Sequence, residues 1–399
     1  MASVTPWRAH EHPRKPLAEL ALSRGPRMSE PQAEAVIDLD AYRTNLQAIA
    51  AGAPDAALMA VVKANAYGHG VEQCARAARE AGATWLGVAT PTEAMALRSL
   101  GDTGQVLCWL AAPGADYASV IEAGVEVTAS SVEQLDEILA GAPSPPRVQL
   151  KVDTGMSRNG AFGQQWGQLL EATARAQSAG KLVHTGTWSH FACADDPKHP
   201  ANDAQEKRFT QAIEELEAAG LAPGLRHLSN SAAALTRPSA HLDMIRVGIS
   251  SYGLAPAARM KFDTPLRPVM TLRGRLAAVK RMPAGSSVSY GHRYTTDHET
   301  TLGLVPLGYA EGLPRNASNR VQAGFAGQRV RVVGTICMDQ VIVDLGDLPA
   351  ERGDVVTLFG PGDDGEPTAQ EWADAADTIN YEIVTRVGGR TVRTYRGAR

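Results

Sequence analysis

Cysteine is scarce in this sequence: four residues, at positions 74, 108, 193 and 337, spread over 399. Cysteines so few and so widely scattered suggest neither a disulfide framework nor a CxxC metal site, and they fit a reducing cytoplasm, where the chain is expected to reside. No apolar run reaches the roughly 20 residues that a membrane-spanning helix needs. A dense basic face is missing too. With a formal charge of −4 and a pI near 6.2, the chain offers a phosphate backbone little to bind, so nucleic acid is excluded and small molecules are the expected ligands. The last 135 or so residues hold no low-complexity tract, and no repeat is seen beyond a βα alternation. No His/Asp/Glu cluster of the kind a metal-dependent barrel hydrolase needs can be assembled, and no metal is expected.

What is present is core material. A hydrophobic content of 44% against 21% charged describes a globular protein, and this length suits a barrel plus a smaller partner. Residues 1–33 stand apart: TPWRAHEHPRKPLAELALSRGPRMSEPQ is rich in Pro and Arg, and its apolar patch, LAELAL, is interrupted by Glu19 and too short for a signal-peptide core. A disordered tail is expected there, with Met28 as an alternative start. From Val36 the pattern becomes regular. Asp38 or Asp40 can cap a helix through DAYRTNLQAIAAG, and eight strand candidates follow at 57–62, 85–89, 105–110, 125–129, 147–152, 182–188, 224–229 and 244–249. Helical stretches lie between them, several ending on glycine. The alternation predicts an α/β domain over residues 34–264, and eight units predict an N-terminal (β/α)8 TIM-like barrel, with an open doubly wound sheet as the alternative. Near Thr264 the texture changes to short β-rich runs punctuated by Gly, Pro and Asp, so residues 265–399 read as a C-terminal mainly-β domain.

The stretch ALMAVVKANAYGHG, Ala57 to Gly70, carries the first chemistry. Lys63 stands where the first strand gives way to a loop, and α/β folds place their chemistry at strand carboxyl ends. Partial burial lowers an ammonium's pKa, and an amine neutral part of the time can attack an aldehyde; composition alone equally allows a lysine snorkelling into water. Further polar residues fall at the same ends of other strands. KVDTGMSRNG places Lys151 in the fifth strand and Arg158 after it, SHFACADD places His190 after the sixth, and LSNSAAAL places Asn230 and Ser231 after the seventh. Arg246 sits inside an apolar run in the eighth, where a buried guanidinium needs an acceptor. Taken singly, His190 is an ordinary core histidine and Arg158 an exposed loop charge. Five strands ending alike are harder to dismiss. The loops after strands seven and eight commonly hold phosphate in barrels, a use that fits Ser231 and the amides of Gly248 and Ile249, although small polar residues ahead of a helix also serve as caps.

VVKANAYGHG resembles the cofactor-lysine segment of the alanine racemases. Nine more motifs resemble that family in its order, between about Val36 and Arg393: VATPTEAMALR, DTGMSRNG, SHFACADD, LSNSAAAL, RVGISSYG, VSYGHRY, LGYAEGLPR, GTICMDQ and INYEIVTRVGGRTVR. The resemblance implies that Lys63 binds pyridoxal 5'-phosphate (PLP), that Tyr67, Ser231, Gly248, Ile249 and Tyr381 hold its phosphate with Asn230 alongside, and that Arg246 faces the pyridine nitrogen with His190 against the ring. It implies that Arg158 and Met338, with Cys337 and Asp339 beside the latter, receive the substrate, that Tyr309 lines the entrance, and that Tyr290 is a second catalytic base opposite Lys63. Lys151 matches a lysine that is carbamylated in some members. Val247 departs from the family, many members having proline after the arginine, but no functional side chain is lost. The implied activity is interconversion of L- and D-alanine by a two-base mechanism, supplying D-alanine for bacterial peptidoglycan, in a head-to-tail homodimer with active sites shared between subunits. A related PLP-binding homeostasis protein lacks the second domain present here, and a decarboxylase of similar architecture has an acidic residue where Arg246 stands. A broad-spectrum or serine-preferring racemase stays open, because a few side chains set pocket size.

Overall fold

The structure, a computed structural model, describes residues 31–398; nearly all of the expected tail lies outside the described residues. The first strand, β1 (Ala33–Asp38), leads into the helix Leu39–Ala51, which Asp38 caps by accepting from Ala41 N at 2.9 Å. Eight parallel strands follow: β2 (Ala57–Val61), β3 (Trp85–Val88), β4 (Gln105–Cys108), β5 (Glu126–Ala129), β6 (Arg147–Lys151), β7 (Val183–Trp188), β8 (Leu225–His227) and β9 (Met244–Val247). They pair in the order β8-β7-β6-β5-β4-β3-β2-β9. Asp243 N donates to Arg226 O at 3.1 Å and Arg246 N to Ser229 O at 3.3 Å, so β9 meets β8 and the sheet closes. The open-sheet alternative is thereby excluded.

Local chemistry explains the alternation. Strands such as WLGV and MIRV are buried at every position, as parallel strands covered on both faces are. Thr90 and Glu93 form a capping box ahead of the helix Pro91–Ser99, which has proline in its first turn, and Ser131 caps Val132–Gly141. Inside the barrel Met59, Trp85, Leu107 and Met244 pack together. Gly87 must lack a side chain there, since a Cβ would come within 2.8 Å of both Met59 Sδ and the Trp109 ring.

The first strand departs from the expected boundary at residue 34. β1 pairs antiparallel with Met270–Arg275 and parallel with Val392–Arg396, so it belongs to the second sheet and not to the barrel. Its short apolar run, with Glu34 and Asp38 half-buried, is that of a strand, but such a run does not say which sheet a strand joins. The nine-stranded second sheet runs Ala278–Met282, Thr300–Val305, Val341–Gly346, Gln328–Val333, Gln322–Phe325, Val355–Phe359, Met270–Arg275, β1, Val392–Arg396. Asn45 on the first helix ties the two parts together: its amide nitrogen donates to Arg267 O at 2.8 Å and Ser251 O at 3.2 Å, and its oxygen accepts from Arg267 N at 2.9 Å. The last strand returns to the loop after Lys63, where Arg393 Nε donates to Gly68 O at 2.7 Å. No helix among the described residues is long and apolar enough to cross a membrane.

Candidate active site

Beyond Lys63 the backbone enters a left-handed turn at once, with φ of 51°, 54°, 54° and 51° at Ala64, Asn65, Ala66 and Tyr67. Residues other than glycine resist this conformation by roughly 1–2 kcal/mol each, so contacts must hold it. Glu93 accepts from Ala64 N at 2.6 Å and Ala89 N at 2.8 Å, and Asn65 Oδ1 accepts from Val71 N at 2.8 Å. Lys63 is thereby aimed into the barrel mouth, its Nζ 6.0 Å from the Tyr67 ring centre and 5.9 Å from that of Trp109. Burial lowers its pKa, the Arg158 cation lowers it further, and Glu93 opposes.

Tyr67 is buried and packs 5.0 Å from Tyr252 and 6.3 Å from Tyr381, ring centre to ring centre. Burial pushes its phenol well up, as it does that of Tyr381, so both are neutral hydrogen-bond donors. The Tyr67 hydroxyl lies against Gly248, where a Cβ would come within 2.5 Å of it. Gly248 N donates to Ser231 Oγ at 2.9 Å, and Ile249 opens the short helix Ile249–Tyr252. These groups form a donor-rich cradle after β8 and β9. Asn230 caps the helix Ser231–Thr236, its Oδ1 accepting from Ala233 N at 3.1 Å, so its oxygen serves the backbone beside the cradle.

Arg246 on β9 is 5% exposed, and every described partner is neutral. It donates to Ser189 O at 2.8 Å and Leu228 O at 3.3 Å, and it meets His190 Nδ1 at 3.0 Å and His227 Nδ1 at 3.1 Å. The acceptor that burial demanded exists, in four copies and without a carboxylate. Burial lowers the guanidinium to about 9, still protonated at neutral pH. Burial first and the Arg246 cation second hold His190 well below the usual histidine range, and His227 likewise. Both imidazoles are neutral acceptors. Lys151 Nζ lies 3.6 Å above the centre of the Trp188 ring, and burial, then Arg246 and Arg158, lower it to about 6. Arg158 is exposed at the rim.

The remaining expected residues occupy a different place. Tyr290, Met338 and Tyr309 are 73%, 53% and 40% exposed on the β domain. Tyr309 N donates to Cys337 O at 3.0 Å, Thr335 Oγ1 donates to Tyr290 O at 2.7 Å, and Asp339 pairs with Arg390 at 2.6 Å. None of them is among the described contacts of Lys63. Sequence reasoning missed four residues at the mouth. His227 and Trp188 were visible as polar or bulky residues within strand runs, Trp109 lay just past one, and Glu93 was hidden as an ordinary capping glutamate.

Comparison with known proteins follows this division. The profile for "Alanine racemase, N-terminal domain" matches residues 37–256 and that for "Alanine racemase, C-terminal domain" residues 269–395. The chain belongs to the alanine racemase family. It is 53% identical over 366 residues to the alanine racemase of Frankia casuarinae, covering 90% of this chain and 95% of that protein. Among solved structures it resembles the alanine racemases of Streptomyces coelicolor (52% identity) and Streptomyces lavendulae (49%), each at a TM-score of 0.90 with 92% of this chain and 98% of that one covered.

Proposed function

We propose that the chain interconverts L- and D-alanine, with PLP held on Lys63 and with active sites completed between two copies. The observation that carries the reading is the barrel mouth itself: an amine of lowered pKa, a donor-rich cradle and a buried guanidinium whose described partners are all neutral. The residues present fit the cofactor. Ser231, the Ile249 amide, Tyr67 and Tyr381 suit a phosphate group, because they supply donors around a place where Gly248 leaves no Cβ, and the Gly248 amide would join them by exchanging its bond to Ser231 Oγ for one to the phosphate. PLP, when bound, makes the Cα–H of an amino acid acidic enough for a side chain to remove.

The chain's own residues do the rest. Inversion needs a proton taken from one face and returned to the other, and two bases on opposite faces do this with little motion. Lys63 Nζ serves one face, burial and the Arg158 cation lowering its pKa and so easing release of its proton. Tyr290 Oη serves the other. A tyrosine 73% exposed on its own chain suits a group that enters a second copy's barrel mouth in a two-fold, head-to-tail dimer. Arg246 has donors and no acceptor, so it would hold the pyridine nitrogen unprotonated. His190 buttresses it. Arg158 at the rim and Met338 from the second copy, with Cys337 and Asp339 beside it, would receive the substrate carboxylate, and Tyr309 would line the entrance. D-alanine made this way would serve bacterial peptidoglycan, in the cytoplasm.

Borohydride reduction tests the reading. Purified protein is expected to be yellow and to carry a phosphopyridoxyl group on Lys63 after reduction and digestion. Label on another lysine would overturn the assignment, and Lys63→Ala is expected to abolish racemisation.

A further inference from the structure

Below Arg246, a chain of side chains crosses the barrel interior from β9 to β5. His227 Nδ1 meets Arg246 Nη1 at 3.1 Å, and His227 Nε2 meets Gln149 Oε1 at 2.8 Å. Gln149 Nε2 donates to Glu126 Oε2 at 2.8 Å. Glu126 is fully buried and also accepts from Thr185 Oγ1 at 2.7 Å and Arg147 Nε at 2.6 Å. The guanidinium of Arg147 is half exposed, at 52% of its side-chain surface. A carboxylate bridged to a guanidinium at this distance is an acceptor only.

Acceptor-only Glu126 at one end and donor-only Arg246 at the other give the chain a single satisfied direction. Glu126 cannot donate, so Gln149 must turn its NH2 toward it and its oxygen toward His227. An amide oxygen cannot donate either, so His227 must carry its proton on Nε2. Its Nδ1 is then the lone pair facing Arg246, and a donor-only guanidinium requires that. Reversal at any link would set N–H against N–H beside a buried cation, at the cost of an unsatisfied pair. We propose that Glu126 is a positioning residue for the reaction: its carboxylate, acting through Gln149 and His227, sets the direction of hydrogen bonding that holds the Arg246 guanidinium in place beneath the cofactor. The proposal rests on the reading that Arg246 serves the cofactor's ring nitrogen.

The test reads the imidazole directly. In 15N-histidine-labelled holoenzyme, two-bond 1H–15N correlation spectra, assigned through His227→Gln, are expected to show His227 as the neutral Nε2–H tautomer. Wild-type His227 protonated on Nδ1 overturns the proposal at once. Glu126→Gln removes the acceptor-only group while keeping its size, and is expected to populate the Nδ1–H tautomer and lower kcat about tenfold with KM nearly unchanged, the scale of loss seen when an outer hydrogen-bond partner is removed. Arg147→Gln, which leaves the carboxylate, is expected to keep the Nε2–H tautomer. The double variant Glu126→Gln with Gln149→Glu moves the acceptor-only group one link along, and is expected to restore both tautomer and kcat. Should Glu126→Gln fail to fold, the wild-type spectrum and the double variant decide, an Nδ1–H tautomer in either overturning the proposal. A Glu126→Gln protein that keeps the wild-type tautomer, or changes it with kcat intact, also overturns it. If Arg246→Lys is then without effect as well, the reading of Arg246 has failed; if Arg246→Lys is damaging, only the chain behind it has.

Discussion

At the residue scale, the barrel mouth gathers Lys63, Lys151, Arg158 and Arg246, opposed by Glu93 near Lys63 and Asp153 near Lys151, and burial eases the repulsion by removing charge where it can. Arg246 keeps its proton, whereas Lys151 is lowered to about 6 and is a neutral amine at pH 7. A neutral amine takes up carbon dioxide, and the resulting carbamate would be an anion among Arg246, Arg158 and Lys63. Protein equilibrated with 13C-bicarbonate is therefore expected to show a carbamate carbon resonance that is absent from Lys151→Ala. The sign of its pH dependence follows from the lowered pKa: the uncharged amine prevails above about 6, so the resonance persists at neutral and alkaline pH and fades as pH falls through that value. Gly248 makes the second case. Because a Cβ there would meet the Tyr67 hydroxyl at 2.5 Å, Gly248→Ala must displace that donor, and PLP affinity is expected to fall about tenfold, the equivalent of one hydrogen bond. Equilibrium dialysis followed by the cofactor's absorbance measures it, and unchanged affinity would remove Tyr67 from the cradle.

At the scale of elements, the informative one is the left-handed turn after β2. Four consecutive non-glycine residues in that conformation are kept by Glu93, by the Asn65 side chain and by Arg393 from the last strand. Ala64→Gly relieves one strained position and keeps the amide that donates to Glu93, so it is expected to stabilise the protein by about 1 kcal/mol. Denaturant unfolding at fixed protein and cofactor concentration reads this, since ligand and subunit concentration both shift apparent stability. Glu93→Ala leaves the Ala64 and Ala89 amides without their acceptor and is expected to cost roughly 1–3 kcal/mol. If Ala64→Gly is neutral or destabilising, the turn is not a source of strain.

At the scale of the whole molecule, the proposed completion of the site between two copies has a quantitative signature. On that proposal Lys63→Ala and Tyr290→Phe break different halves of one site, so a mixed dimer would have one doubly defective site and one intact site. Random co-assembly makes about half the dimers mixed, and roughly a quarter of wild-type activity is expected from two nearly inactive proteins. Co-expression with two affinity tags isolates the mixed species. A mixed dimer no more active than its parents would place Tyr290 within its own chain's site.

Much of this was legible along the chain, because strand and helix periodicity and a residue's place at a strand end are local properties. Eight βα units, Lys63 at the end of the first, Arg246 buried in the last and the change of texture near Thr264 all follow from short windows of sequence. The assignment of β1 was not local: AEAVID reads as a strand, and only pairing with Met270–Arg275 and Val392–Arg396 puts it in the second sheet. The same holds for Arg246, whose acceptors come from β8 and from the loops after β7 and β8, and for Glu126, which lies in β5 far from the mouth in sequence. Sequence by itself determined which elements form and which residues stand at their ends; closure of the barrel decided which side chains meet inside it, since partners contributed by five different strands are neighbours only when the sheet curls back on itself.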